Sequence, residues 1–167
     1  QLFWLVGGGG TGKSVAAAEL LVRLLDKQNA AAWHFCKHTE PARSAPAVLL
    51  RSLAGMLCAT VEGFADALNE SAGVETEEVE DLFEALVAKP LQNVEAPRDA
   101  DDALVLIIDA LDELPRDALQ PVLSLLANEL KTLPPWIKIV VTSRDEAQIK
   151  ARLSCFTPSE LRVDEAR

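Results

Sequence analysis

The sequence predicts an α/β fold in three layers, a parallel sheet flanked by helices. Three observations predict it. Short apolar runs alternate along the chain with longer segments of helical periodicity. The runs are apolar almost throughout and not at every second residue, with Lys138 and His34 the interior exceptions, as strands covered on both faces are. Two of them end abruptly in polar residues, at Asp109 and at Thr142, which puts chemistry at strand tips.

Leu2 to Val6 is a run of strand length that stops at four glycines. From Gly12 the pattern turns helical, with Leu20/Leu24 and Leu21/Leu25 at i, i+4, and Asn29 as a stop. Ala31 to Cys36 reads as the second strand. Pro41 and Pro46 bracket a loop before a helix over Val48 to Thr60, and Gly63 to Gly73 reads as a further short helix. Glu75, Glu77, Glu78, Glu80, Asp81 and Glu84 form a solvated acidic stretch that leads into a helix around Leu82, Phe83, Leu86 and Val87. Asn93 to Asp102 is polar, contains Pro97 and reads as a loop. Leu104 to Asp109 is the most strand-like segment. Pro115 to Leu133 is helical, with Leu119, Val122, Leu123, Leu126 and Leu130 on one face, until Pro134 and Pro135 stop it. Ile137 to Thr142 is another buried strand, and Glu160 to Val163 a last short one.

At 167 residues the chain is expected to form one domain over 1–167. It opens Gln-Leu-Phe-Trp-Leu-Val, without an initiating Met or a basic n-region, and is expected to be cut from a longer multidomain protein. No apolar run approaches the roughly 20 residues that cross a bilayer, so no membrane partner is expected. The formal net charge is −10, from 26 acids against 16 bases, a field that disfavours nucleic acid and anionic lipid. Any anionic ligand must therefore be held by local geometry. Cys36, Cys58 and Cys155 are odd in number and lack CxxC spacing, which suits a reducing, cytoplasmic setting.

Gly7-Gly8-Gly9-Gly10-Thr11-Gly12-Lys13-Ser14 fits the pattern G-x-x-x-x-G-K-[ST], between an apolar run and an amphipathic helix, the context such a phosphate-binding loop requires. Glycines can take positive φ and let backbone N–H groups converge on phosphate oxygens. The start of the helix aims unpaired N–H groups at the same point. The nucleotide-binding set is Gly7, Gly8, Gly9, Gly10, Thr11, Gly12, Lys13, Ser14 and Val15. Lys13 is expected to bridge the β- and γ-phosphates, and Ser14 to ligate Mg²⁺.

Asp109, at the C-terminal tip of a buried strand, is placed where open α/β sheets bind ligands and is expected to hold the Mg²⁺ through water. Glu113 is the first choice to polarise an attacking water. Asp112 is the alternative for that role, an outer partner of the metal, or simply a cap for the helix near Pro115. Thr142 or Ser143 is expected to feel a γ-phosphate, and Arg144 to reach it with a charge, against the plainer reading of a surface arginine at a strand end. No Asn/Thr-Lys-x-Asp run reads guanine, and Asp109-Ala-Leu-Asp112 is not an Asp-x-x-Gly switch. ATP and ADP are thus favoured over guanine nucleotides.

The loop, the Ile107-Ile108-Asp109-Ala110-Leu111-Asp112-Glu113 strand end and the Val140-Val141-Thr142-Ser143-Arg144 strand end together resemble the NACHT NTPases of the STAND class of P-loop ATPases. His34-Phe35-Cys36, Arg51-Ser52-Leu53-Ala54 and Leu82-Phe83-Glu84-Ala85-Leu86 with Pro90-Leu91 agree with it. The resemblance implies an ASCE-type P-loop core with Walker A and Walker B sites. It also implies slow ATP hydrolysis, nucleotide-dependent homo-oligomerisation, and service in innate immunity or cell-death signalling beside effector and repeat domains. Ala110 stands where many members have glycine, which reads as a mild change.

Two other readings stand beside it. A nucleotide-binding scaffold with negligible turnover needs only the loop. A P-loop small-molecule kinase calls for an arginine-rich lid, and none is evident between Ala88 and Ala103. His34, Cys36 and His38 share a strand face if a period of two persists, but three ligands are one short of a closed zinc site. Trp4, Trp33 and Trp136 read as packing, not as a base-stacking platform.

Overall fold

The computed structural model describes residues 1–40, 45–71, 76, 78–96, 103–154 and 159–163. The loop expected after Pro41, the acids Glu75 and Glu77, Gly73, Cys155 and the stretch 97–102 lie outside the described residues.

The described strands are β1 (Leu2–Gly7), β2 (Ala30–Phe35), β3 (Leu104–Asp109), β4 (Ile137–Ser143) and β5 (Ser159–Val163). They form one parallel sheet in the order β2-β3-β4-β1-β5. The helices are α1 (Lys13–Asp26), α2 (Pro46–Thr60), α3 (Phe64–Ser71), α4 (Val79–Phe83), α5 (Lys89–Gln92), α6 (Arg116–Glu129) and α7 (Ala147–Leu153). The predicted fold class is the observed one.

The order of strands sets which face each helix takes. The chain leaves β1 leftward across β4 and β3 to reach β2, then returns rightward at every later crossover. Right-handed crossovers therefore put α1 on one face and the remaining helices on the other. Side chains follow the same division. Leu2, Trp4 and Val6, Leu104, Leu106 and Ile108, and Ile137, Ile139 and Val141 join residues of α2 to α7 in one buried cluster that takes nothing from α1. Each fully buried leucine there, such as Leu57, Leu91 or Leu123, contributes about 1.5–3 kcal/mol relative to exposure.

Burial on both faces was expected, but the α1 face is only partly covered. Phe3 is 38% and Leu161 66% exposed, and α1 leaves Val15, Val22 and Leu25 in solvent. An open apolar groove of about 450 Å³ runs between Ala16, Leu20 and Leu24 of α1 and Phe3, Val140 and Leu161 of the sheet. A continuous apolar run states that a strand is apolar on two sides, not that this chain supplies both covers.

Four local departures have physical causes. The helix expected from Pro115 to Leu133 is α-helical only to Glu129, and Leu130–Thr132 tightens into a 3₁₀ turn before the prolines. Between α4 and α5, Glu84–Ala88 widens into a π-helical turn. Pro90 has no N–H to donate to Leu86, so the ladder shifts register just before it. Helix α7 went unpredicted, since its seven residues bury only Ile149 and Leu153, too few to show a period. Ala110 adopts φ 56°, ψ 50°, a left-handed conformation that costs a residue with a Cβ about 1–2 kcal/mol. Alanine in place of glycine is therefore not mild here.

Candidate functional site

The C-terminal ends of β1, β3 and β4 meet along one edge of the sheet, and the loop of residues 8–12 runs from β1 into α1. Its glycines act for different reasons. Gly10 (φ 76°) and Gly12 (φ 86°) are the left-handed positions. Gly7 is needed for space, since a Cβ there would collide with the Val163 carbonyl oxygen of β5. Thr11 Oγ1 donates to the Gly8 carbonyl at 3.0 Å and closes the turn.

Helix α1 opens with no side-chain cap and no acid in its first turn. Its ladder begins where Ala16 N donates to the Gly12 carbonyl at 2.9 Å. The amides of Lys13, Ser14 and Val15 precede that first bond and have no helical acceptor, which leaves them at the end of a helix that suits an anion. Val15 offers this position only its backbone amide, for its side chain is 74% exposed. Lys13 Nζ donates to the carbonyls of Gly8 at 2.6 Å and Gly7 at 3.0 Å, which holds the ammonium over the loop.

Strand β4 lies between β1 and β3, so Asp109 stands two strand spacings, about 10 Å, from the β1 tip. A phosphate chain and a hydrated cation fill such a distance better than direct contact does. Asp109 is buried, and Thr142 Oγ1 donates to its Oδ1 at 2.5 Å while accepting the Ala110 amide at 2.8 Å. Thr142 thus serves the carboxylate and does not reach outward. Ser143 is also fully buried, receiving Trp4 Nε1 at 2.8 Å and donating to the Arg144 carbonyl at 2.9 Å. The expectation that Thr142 or Ser143 would feel a phosphate is corrected on both residues.

After Ala110 the chain makes a 3₁₀ turn, Leu111–Glu113, anchored by fully buried Leu111. Residues just past the two neighbouring strands, β2 and β4, hold its two acids. Asp112, with a side chain only 6% exposed, accepts the Arg144 amide on Oδ1 at 3.0 Å and pairs through Oδ2 with Arg144 Nε at 3.1 Å. It does not cap α6, whose N-cap residue is Pro115 and which has no side-chain cap. Glu113 Oε2 receives the His38 amide at 3.2 Å and lies 3.2 Å from His38 Nδ1. The guanidinium of Arg144 lies against the loop, its carbon 3.8 Å from where a Gly9 Cβ would stand.

His34, Cys36 and His38 do not form the metal triad that a strand period of two would allow. The structure separates them: β2 ends at Phe35, His34 and Cys36 are buried, and His38 lies exposed on the turn beyond. Among the described residues no group of His, Cys, Asp or Glu could hold a metal by itself. Sequence reasoning missed His38 as the partner of Glu113. The available signal was position, since a residue just past β2 must meet one just past β3 when those strands pair.

Beside the site, Arg162 Nη1 of β5 donates to Asp145 at 2.7 Å, and that guanidinium holds the Asp145 carboxyl below the usual carboxylate range. A cavity of about 660 Å³ bordered by Lys27, Asn29, Gly63 and Val94 lies at the opposite end of the sheet, away from the strand tips where such sheets bind ligands. No described helix is long and apolar enough to cross a membrane.

Mg²⁺ fits the residues present. Ser14 supplies a hydroxyl in the first turn of α1, and Asp109 a carboxylate fixed by Thr142, hard oxygen donors of the kind this ion takes.

Solved structures share the architecture. Drosophila ORC bound to DNA aligns with a TM-score of 0.60 and 20% identity over 99% of this chain and 38% of that one. Cdc6p from Pyrobaculum aerophilum gives 0.57 and 18% over 97% and 38%. A Walker-type ATPase of Pyrococcus abyssi gives 0.51 and 14% over 99% and 49%. This chain thus spans less than half the length of each. At such identities the likeness is one of fold, a P-loop ATPase-like α/β sheet. No curated protein matches the chain. The family model described as nephrocystin 3, N-terminal, matches residues 1–144, and the chain belongs to that family.

Proposed function

We propose that this chain is an ATP-binding, slowly hydrolysing switch module. The observation that carries the reading is the loop of residues 7–14 running into an uncapped α1, with Lys13 held over it. That arrangement gives an acidic protein a local site for a polyphosphate, against its overall charge of −10.

In this reading the amides of residues 8–15 cradle the phosphates and Lys13 spans the terminal pair. Ser14 and Asp109 hold Mg²⁺, which supplies charge neutralisation for the phosphoryl group when bound. Glu113 orients and polarises the attacking water, and Arg144 meets charge that develops on the outermost phosphate. Asp112 supports the turn that presents Glu113. The acid pair and the Thr142-Ser143-Arg144 ending, together with the loop, support the finer reading of a NACHT-type module of the STAND class. Nucleotide-dependent homo-oligomerisation, cytoplasmic signalling in immunity or cell death, and flanking effector and repeat domains belong to the same proposal.

The experiment is phosphate release by the wild type, Glu113→Gln and Lys13→Ala, with ATP binding measured in parallel. The switch reading expects release by the wild type, loss of it with retained binding in Glu113→Gln, and loss of both in Lys13→Ala. The competing scaffold reading wins if all three release phosphate equally slowly while the wild type binds ATP.

A further inference from the structure

We propose that Asp112 is the positioning residue for Arg144, and that through it this site tells a nucleoside triphosphate from a diphosphate. The inference rests on the nucleotide reading above and adds a task for a carboxylate that reading leaves in a supporting place.

Geometry assigns the task. Both oxygens of Asp112 are engaged by one residue: Oδ1 takes the Arg144 backbone amide at 3.0 Å, and Oδ2 takes Nε at 3.1 Å. A backbone anchor and a side-chain anchor on the same carboxylate fix where the arginine leaves β4 and which way it extends. Its guanidinium consequently lies over the loop, with the carbon 3.8 Å and Nη2 3.9 Å from the position a Cβ would take on Gly9. Binding through Nε leaves the two Nη groups of the fork for a second anion.

The two partners differ in exposure in the way the task requires. The Asp112 side chain is 6% exposed, and that of Arg144 is 58% exposed. A carboxylate so enclosed and so fully engaged is poorly placed to activate water or to join a hydrated cation. Glu113, one residue on, is 32% exposed and keeps that role. An arginine otherwise loose in solvent would lose rotamer freedom on meeting a phosphate; one already held by Asp112 loses less, which is how preorganisation raises affinity. Only a triphosphate gains from it, because a diphosphate lacks the outermost phosphate that Arg144 meets.

The test is equilibrium binding of Mg·ADP and of a non-hydrolysable Mg·ATP analogue to the full chain, read as the ratio of the two dissociation constants. The proposal expects Asp112→Asn to lower the preference for the triphosphate at least threefold. Arg144→Ala should lower it as far or further, and the double variant should match Arg144→Ala alone. A role for Asp112 in fold stability only would weaken both nucleotides alike and leave the ratio unmoved. Arg144→Lys, at an exposed side chain, decides the matter if Asp112→Asn does not fold. Lysine keeps the charge but cannot bind Asp112 and still present a fork, so its ratio should lie within twofold of Arg144→Ala. An unmoved ratio in Asp112→Asn, or a wild-type ratio in Arg144→Lys, overturns the proposal while leaving nucleotide binding intact. A wild type that binds neither nucleotide overturns the nucleotide reading itself, and this inference with it.

Discussion

Thr142 holds Asp109 from the neighbouring strand: its hydroxyl donates to the carboxylate at 2.5 Å and accepts the Ala110 amide at 2.8 Å. One buried side chain thus fixes the proposed Mg²⁺ carboxylate and starts the turn that carries Asp112 and Glu113. Thr142→Val keeps the shape and removes both bonds. It should cost about 1–3 kcal/mol through the polar groups left without partners, read by urea denaturation. A loss below a few tenths of a kcal/mol would mean the contact does little.

Ala110 sits at φ 56°. Ala110→Gly relieves the Cβ penalty but adds backbone entropy to the unfolded chain, for an expected net gain of about 0.5–1 kcal/mol. Gly12 at φ 86° predicts the reverse, a loss for Gly12→Ala. Thermal melts of the two variants should move in opposite directions; a shared sign would contradict these backbone conformations.

His38 bears on Glu113 through its ring and its amide. Loss of the ring contact in His38→Ala should lower kcat for phosphate release roughly threefold to tenfold, the value of one hydrogen bond, with KM unchanged. His38→Asn, which restores a side-chain donor, should recover part of it. A change confined to KM would place His38 in binding instead.

Arg162 depresses the pKa of Asp145. A carboxyl whose folded pKa lies below its unfolded value contributes stability above the unfolded pKa, and loses it as pH falls through the folded one. Between about pH 5 and pH 3, spanning the ordinary Asp range, the wild type should therefore lose more stability than Arg162→Ala does. Parallel acid profiles for the two proteins would rule the pair out as a contributor.

The strands and the loop were legible because their signals are local. Leu104 to Asp109 is apolar until its last residue, and the spacing of Gly7, Gly12 and Lys13 states its own geometry. What lay hidden was pairing across strands. Nothing in the run Val140-Val141-Thr142 says that Thr142 turns to Asp109, or that Ser143 meets Trp4 from 139 residues away. Those contacts exist because β4 inserts between β1 and β3, a fact of topology. Likewise the left-handed Ala110 breaks no sequence rule; it shows only where a strand tip must turn sharply beneath a buried Leu111.

The most direct measurement is a calorimetric titration of the chain with Mg·ATP, repeated on Lys13→Ala and with Mg·GTP. The account predicts saturable binding of one ATP, affinity at least tenfold weaker without the Lys13 ammonium, and no preference for GTP. Absence of any heat of binding to the wild type, or equal affinity in Lys13→Ala, would contradict it.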